Sequence, residues 1–454
     1  MFNPTLSISR MPLSKRPSSH IASVQFVGLV LFLIAYYSSP EEYVSILGQL
    51  PLYKLLAGGA IASVIVNNVR QGKPLVMFSK GTKLTLILVG LMIVNVPFSN
   101  WPGGSAEIIT GRIVKMILLA LLILNVVETE RQFKQIMIVM VMSGALIGCY
   151  GINSYAKGDV DQWGRIAGYG SKEFGNPNDM ALGLLVIIPF AYHLFNREPS
   201  FLKRTGYLLA LCSLVVGILV SMSRMGMLGL VFLAGVWVYA RGRKNLLAAV
   251  FTVSVILVGG AMATLSIPTL TERFESIFDQ QKDETGSRGF RLQHMQDGLV
   301  IMLSNPFFGV GLGQSMDVVA EMHDYTPGHW ERIHNAYIEV GADLGIPAML
   351  VFCSIIVVTI RQLSKSEQCM RSSYSGQSAI GAYLTSTRAA MWVFVLAVNF
   401  APGAYNWALF LLVGLSGAIV AIASRYSIES GNSFSGARIE FARTGDSKRG
   451  RLTK

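Results

Sequence analysis

Arg224 stands in SMSRMG, Ser221 to Gly226, between two apolar runs with few polar neighbours. A guanidinium is a planar fork of donors that can grip a phosphate through two bonds at once. The plainer reading is an arginine at a helix end whose charge snorkels to water. Arg288 and Arg291 lie three apart in SRGFRLQHMQDGLVIML, which places them on one face of a helix. That face is either a second cationic contact or simply solvated. His334 opens HNAYIEVGADLG, just after Trp330, Glu331 and Arg332. A neutral imidazole can take the proton of an attacking hydroxyl near neutral pH, although a lone histidine is more often structural.

Other groups are weaker candidates. In GNPNDMA, Asn178 and Asp179 can orient a sugar or an arginine, but an Asn-Pro-Asn turn that caps a helix explains them as well. Asn335 and Glu339 are further substrate-orienting candidates. Glu339 and Asp343, four apart on one face, are placed to steady His334 or Arg224. Asp159-Val160-Asp161 has the spacing of a metal-binding DxD motif, and a solvated turn is the favoured reading. GVGLG, Gly309 to Gly313, invites a nucleotide loop, but it follows no strand of a βαβ unit and reads better as a tight turn. His294, His323 and His329 read as packing or solvated residues. The four cysteines, Cys149, Cys212, Cys353 and Cys369, have neither paired nor metal-ligand spacing, so no metal site and no cofactor is expected.

The elements that must position these groups are membrane spans. Of the 454 residues 52% are hydrophobic and only 14% charged, against about 25% charged in soluble domains. Mean hydropathy is +0.49. Runs long enough for a bilayer core lie near 21–38, 46–66, 84–99, 108–127, 133–152, 180–195, 207–222, 225–240, 246–265, 344–361, 383–400 and 404–424. The expected fold is therefore all-α, a transmembrane bundle of about twelve helices. The least regular runs are the fourth, which carries Arg112 and Lys115, and the short eighth.

Charge sets the orientation. With the N-terminus in the cytoplasm, the inward segments hold 25 of the 38 Lys and Arg and the outward ones nine, although the outward side has the two longest internal loops. The net charge of +12 therefore reflects orientation in the membrane, and no nucleic-acid partner is expected. The division that follows is a cytoplasmic N-terminus at 1–20, spans one to nine over 21–265 with an outward loop at 153–179, a large outward loop at 266–343, spans ten to twelve over 344–424, and a basic tail at 425–454. The first apolar run lacks a small-residue cleavage site and reads as a retained helix. From Arg288 to Leu303 a helix is expected, ended by Asn305-Pro306.

GNPNDMA, SMSRMG, the arginine-bearing helix leading to NPFFGVGLG, and HNAYIEVGADLGIPAM from His334 occur in an order that resembles the bacterial O-antigen ligase and polymerase superfamily. The likeness covers about 160–360. It implies a twelve-helix bundle in the inner membrane, with both termini cytoplasmic and the active site on the large periplasmic loop. It also implies transfer of a glycan from undecaprenyl diphosphate to an acceptor hydroxyl by an inverting, metal-independent glycosyltransferase. On that likeness Arg224 and Arg291 bind the diphosphate, Arg288 assists and His334 is the base. Met295 stands where the family usually has an aromatic residue.

The expected partners are the lipid-linked donor, a glycan or lipid A–core acceptor, membrane lipid, and a flippase and chain-length regulator. Polymerase is preferred to ligase because nothing marks a lipid A–core site. A secondary transporter is the alternative from another class. Against it, the chain shows no repeated halves, and its intramembrane charges are few: Lys54, Arg112, Lys115 and Arg388.

Overall fold

Lipid offers backbone N–H and C=O groups no partner, so apolar runs of this length fold as helices that bond within themselves. The computed structural model describes residues 19–40, 52–70, 72, 74–161, 165–170, 173–241, 287–324, 332–373, 379–401 and 403–429. Its α-helices are α1 (Ser19–Ser38), α2 (Leu52–Arg70), α3 (Lys80–Asn95), α4 (Pro102–Ile108), α5 (Val114–Val126), α6 (Glu130–Ala156) and α7 (Pro177–Arg197). They continue as α8 (Phe201–Val220), α9 (Arg224–Arg241), α10 (Ser287–Ser304), α11 (Ser315–Met322), α12 (Ala336–Ser373), α13 (Ala379–Ala397) and α14 (Trp407–Glu429). Among the described residues β-pairing is limited to two isolated bridges, Val160 to Ile166 and Tyr169 to Phe174.

Among the described residues seven helices are long and apolar enough to cross a membrane: α3, α6, α7, α8, α12, α13 and α14. Shorter apolar stretches lie in α1, α2 and α9. By length and composition this is an all-helical, multi-pass membrane protein. The expected span at 246–265, most of the outward loop before Ser287, and the basic tail beyond Glu429 fall outside the described residues.

Two helices form the centre. In α14, 89% of the apolar window is buried, and in α7 78%, so both are apolar on every side, as interior helices must be. Trp407 starts α14 fully buried, with its ring edge-on to Tyr37 and to Phe174. Helices α6 and α8 touch at backbone distance. The Ser213 hydroxyl donates to the Ala145 carbonyl at 2.7 Å, and a Cβ on Gly148 would lie 2.5 Å from the Ser213 carbonyl oxygen. Small residues thus let these two helices approach closely.

Two expectations change in detail. The run at 108–127 is not one regular helix: a π turn, Ile109–Ile113, separates α4 from the 13-residue α5 and carries Arg112. Helix α12 begins at Ala336, eight residues before the expected 344, and runs on to Ser373. It contains a break at Gly345, with φ 84° and ψ 170°. A Cβ there would lie 2.4 Å from the Phe307 carbonyl oxygen, so glycine is required both for the angle and for the contact. Glu339 and Asp343 lie buried in the first turns of this helix, in keeping with the shared helix face that their spacing predicts.

Candidate active site

The first turns of three helices meet around the motif residues. Asn176 is the N-cap of α7, its side-chain oxygen accepting the amides of Asn178 and Asp179, each at 2.9 Å. That leaves the Asn178 side chain available. Its Oδ1 accepts the Ser223 hydroxyl at 2.9 Å and an Arg165 guanidinium N–H at 3.4 Å. The cap and the orienting group are thus different asparagines, and the arginine that Asn178 holds is Arg165.

SMSRMG forms the tight turn from α8 into α9. Met222 has φ of 53°, unusual for a residue with a side chain, and sits in a small buried cluster with Met227. Ser223 Oγ accepts the Gly226 amide at 3.4 Å while donating to Asn178, so one hydroxyl caps α9 and ties it to α7. Arg224, half-buried, is the first residue of α9.

At the third helix start, Asn335 Oδ1 accepts the amides of Tyr337 and Ile338 at 3.0 and 3.1 Å, capping α12. His334 precedes it, half-buried, with Nδ1 2.8 Å from the Arg332 carbonyl oxygen. A carbonyl only accepts, so Nδ1 carries the hydrogen and Nε2 keeps its lone pair. Burial pushes the His334 pKa down to about 3, and the nearby positive charge of Arg291 deepens the fall. His294 and Arg165 add to it, and the bond to Arg332 opposes it. The imidazole is therefore neutral at physiological pH, with Nε2 able to accept a proton.

Arg291 and Arg165 thus each lie within electrostatic reach of His334, and the turn that carries Arg224 is tied to Arg165 through Ser223 and Asn178. Arg291 lies on α10, which packs along α12. Arg288 is on the same helix, its side chain outside the described residues. His294 is buried, and His323 Nε2 lies 2.8 Å from Asp297 Oδ2, in keeping with packing roles; His329 is outside the described residues.

The acidic candidates turn to the scaffold. Asp179 is buried; Asn176 and Asn406 donate to its carboxylate, the latter at 3.5 Å. Glu339 accepts the Ala404 amide at 3.2 Å, tying α12 to the loop before α14. Asp343, fully buried, accepts the amides of Gly313 and Ser315 at 2.9 and 3.0 Å. Its carbonyl oxygen takes the Gly311 amide at 2.8 Å, so GVGLG is a turn pinned onto α12 and not a nucleotide loop. Gly309, Gly311 and Gly313 all have positive φ. Asp161 Oδ1 accepts the Arg165 amide at 2.9 Å, so one of the two DxD carboxylates closes the turn that presents Arg165.

Residues 208–353 match the family model described as O-antigen ligase. Over that stretch, about a third of its length, the chain is similar to the O-antigen ligase family. No curated protein matches the chain in sequence. The matched stretch runs from α8 into α12 and contains Arg224, Arg288, Arg291 and His334, whereas Arg165 and Asn178 precede it. At this general level the function is of the O-antigen ligase or polymerase type, at a membrane.

Sequence reasoning passed over Arg165, although a signal for it was there. It too is an arginine on an outward segment, where basic residues are scarce. Arg332 was seen only as a neighbour of His334, yet its carbonyl fixes the tautomer. Arg112, 3.7 Å from Glu173, was seen only as an intramembrane charge.

Proposed function

We propose that this protein is a polymerase-type glycosyltransferase, extending a glycan carried on undecaprenyl diphosphate at the periplasmic face of the bacterial inner membrane. The observation that carries this reading is that Arg291 from α10 and Arg165 from the segment before α7 both lie within electrostatic reach of His334 at the start of α12, with Arg165 tied through Asn178 to the turn that carries Arg224. Helix N-termini and guanidiniums both favour an anion. A neutral imidazole beside them is the base such an anion-leaving reaction needs.

In the reaction, Arg224 and Arg291 hold the donor diphosphate, with Arg165 added to the clamp and Arg288 assisting from α10. The acceptor hydroxyl attacks the anomeric carbon from the face opposite the diphosphate, which inverts the centre. The bond from that carbon to the phosphate oxygen breaks, and the lipid diphosphate leaves with the electron pair. His334 Nε2 takes the hydroxyl proton. The arginines stabilise the charge that grows on the leaving group, so neither a metal nor a general acid is required. Asn178, Asn335, Asp179 and Glu339 act one step back, setting the helix starts and the arginines.

In the full arrangement twelve spans cross the membrane, both termini are cytoplasmic, and the loop 266–343 is periplasmic. A flippase supplies the donor, and a chain-length regulator is a further partner. Purified protein given an undecaprenyl-diphosphate-linked glycan alone should make longer lipid-linked chains. Product formed only when lipid A–core is added would establish the ligase alternative. No transfer under either condition would overturn the reading.

A further inference from the structure

Helix α7 has 21 residues, about 32 Å at 1.5 Å per residue, so its two ends lie on opposite sides of a bilayer core. The candidate active site sits at its first turn. At the other end, α7, α9 and α13, with the end of α12, enclose a cavity of about 920 Å³. Three arginines line it: Arg197 from the last turn of α7, Arg371 from α12 and Arg388 from α13. Tyr192, Trp237 and Trp392 form an aromatic wall, with Tyr192 stacked on Trp237 at 4.2 Å between centroids. No acidic residue is among those lining the cavity.

Two of these arginines share Glu367 of α12, its side chain only 3% exposed. Arg371 reaches one of its oxygens at 2.6 Å and Arg388 the other at 3.0 Å. One carboxylate therefore serves two guanidiniums, and a third arginine lines the same space. Arg388 lies nine residues inside the 19-residue α13, about 14 Å from its start. A carboxylate shared between two guanidiniums leaves further N–H donors of both facing the cavity, a fork suited to a second anion. The aromatic wall and the half-exposed Trp392 make the same cavity apolar along one side. A ligand suited to both has an anionic phosphate and a hydrocarbon chain.

We propose that this cavity binds an anionic phospholipid of the leaflet opposite the candidate active site. Arg371, Arg388 and Arg197 receive the phosphodiester, and an acyl chain runs along Trp392. Basic pockets between transmembrane helices are a recurring form of headgroup recognition. The site uses none of the residues assigned to glycan transfer.

The test uses the full-length protein stripped of lipid in neutral detergent, with native mass spectrometry and thermal unfolding as readouts. Phosphatidylglycerol should remain bound and raise the unfolding midpoint with concentration, whereas phosphatidylcholine and inorganic phosphate should not. Arg371→Gln and Arg197→Gln, both near helix ends, should each weaken phosphatidylglycerol about tenfold, the worth of one charge-assisted hydrogen bond. The pair Arg371→Gln with Arg197→Gln, which leaves the buried Arg388–Glu367 pair in place, should weaken it further than either single change. Equal binding of phosphatidylcholine would overturn the proposal. So would an equal shift from inorganic phosphate, or undiminished phosphatidylglycerol binding in the two single variants. Glycan transfer does not enter either readout.

Discussion

The Ser223 hydroxyl donates to Asn178 Oδ1 at 2.9 Å, joining the turn that carries Arg224 to the first turn of α7. Because the same Oδ1 receives Arg165, one amide oxygen registers two arginines against each other. Ser223→Ala and Asn178→Ala should therefore each lower transfer, and their effects should not add. A coupling of about 0.5–1.5 kcal/mol in a double-mutant cycle is the worth of one such bond. Strictly additive losses in rate would show that the link does not set the arginines.

Asp343 should matter for folding more than for chemistry. Asp343→Ala strands the amides of Gly313 and Ser315, each worth about 1–3 kcal/mol when left unpaired. A fall of several degrees in the unfolding midpoint is expected, with Asp343→Asn milder because its one oxygen can still accept. An unchanged midpoint in Asp343→Ala would contradict the pinned-turn account.

The long apolar helices were legible in the sequence because hydropathy and lipid impose the same rule on every span. The helix at Ser287–Ser304 was legible for a local reason: its amphipathic pattern runs into Asn305-Pro306. What could not be read is what the acids of α12 hold. Glu339 and Asp343, read as steadying His334 or Arg224, instead accept from Ala404 and from Gly313 and Ser315, all distant in the chain. The partners of Arg165 were hidden similarly, since only folding brings it to Asn178 and His334. The motif residues His334 and Arg291 were found by resemblance, and their mutual electrostatic reach is a tertiary fact that spacing does not encode.

Topology is directly testable. Lys203 at the start of α8 and Asp161 beyond the end of α6 are expected on opposite sides of the membrane, Lys203 in the cytoplasm and Asp161 outside. Reporter fusions or cysteine labelling at the two positions decide it. The same side for both would break the path of α7 across the bilayer.

Chelation gives a separate check on the chemistry. With the arginines carrying the leaving-group charge, EDTA should leave transfer unchanged. Loss of activity that a divalent ion restores would return Asp159 and Asp161 to the site as ligands and replace the clamp as the source of charge stabilisation.

The clamp and the base should separate in kinetics and in pH dependence. Arg224→Lys and Arg291→Lys keep charge but lose the fork, so each should reduce transfer by about 10²–10³-fold with weaker donor binding. Arg288→Lys should be mild. His334→Ala should keep donor affinity while turnover falls roughly 10²–10⁴-fold. For pH, burial and then Arg291 hold His334 down to about 3, below its usual 6.5. The unfolded chain thus binds a proton that the folded one refuses between those values, and this residue weakens the fold as pH falls through that window. The same shift means that the acid limb of kcat/KM, which reports free enzyme, lies well below 6.5. Bound diphosphate offsets the charge of Arg291, so the acid limb of kcat should sit higher. Arg291→Gln should raise the first limb as well, while Arg291→Lys should not. Two coincident limbs near 6.5 in every variant, with full turnover in His334→Ala, would remove the histidine from the reaction.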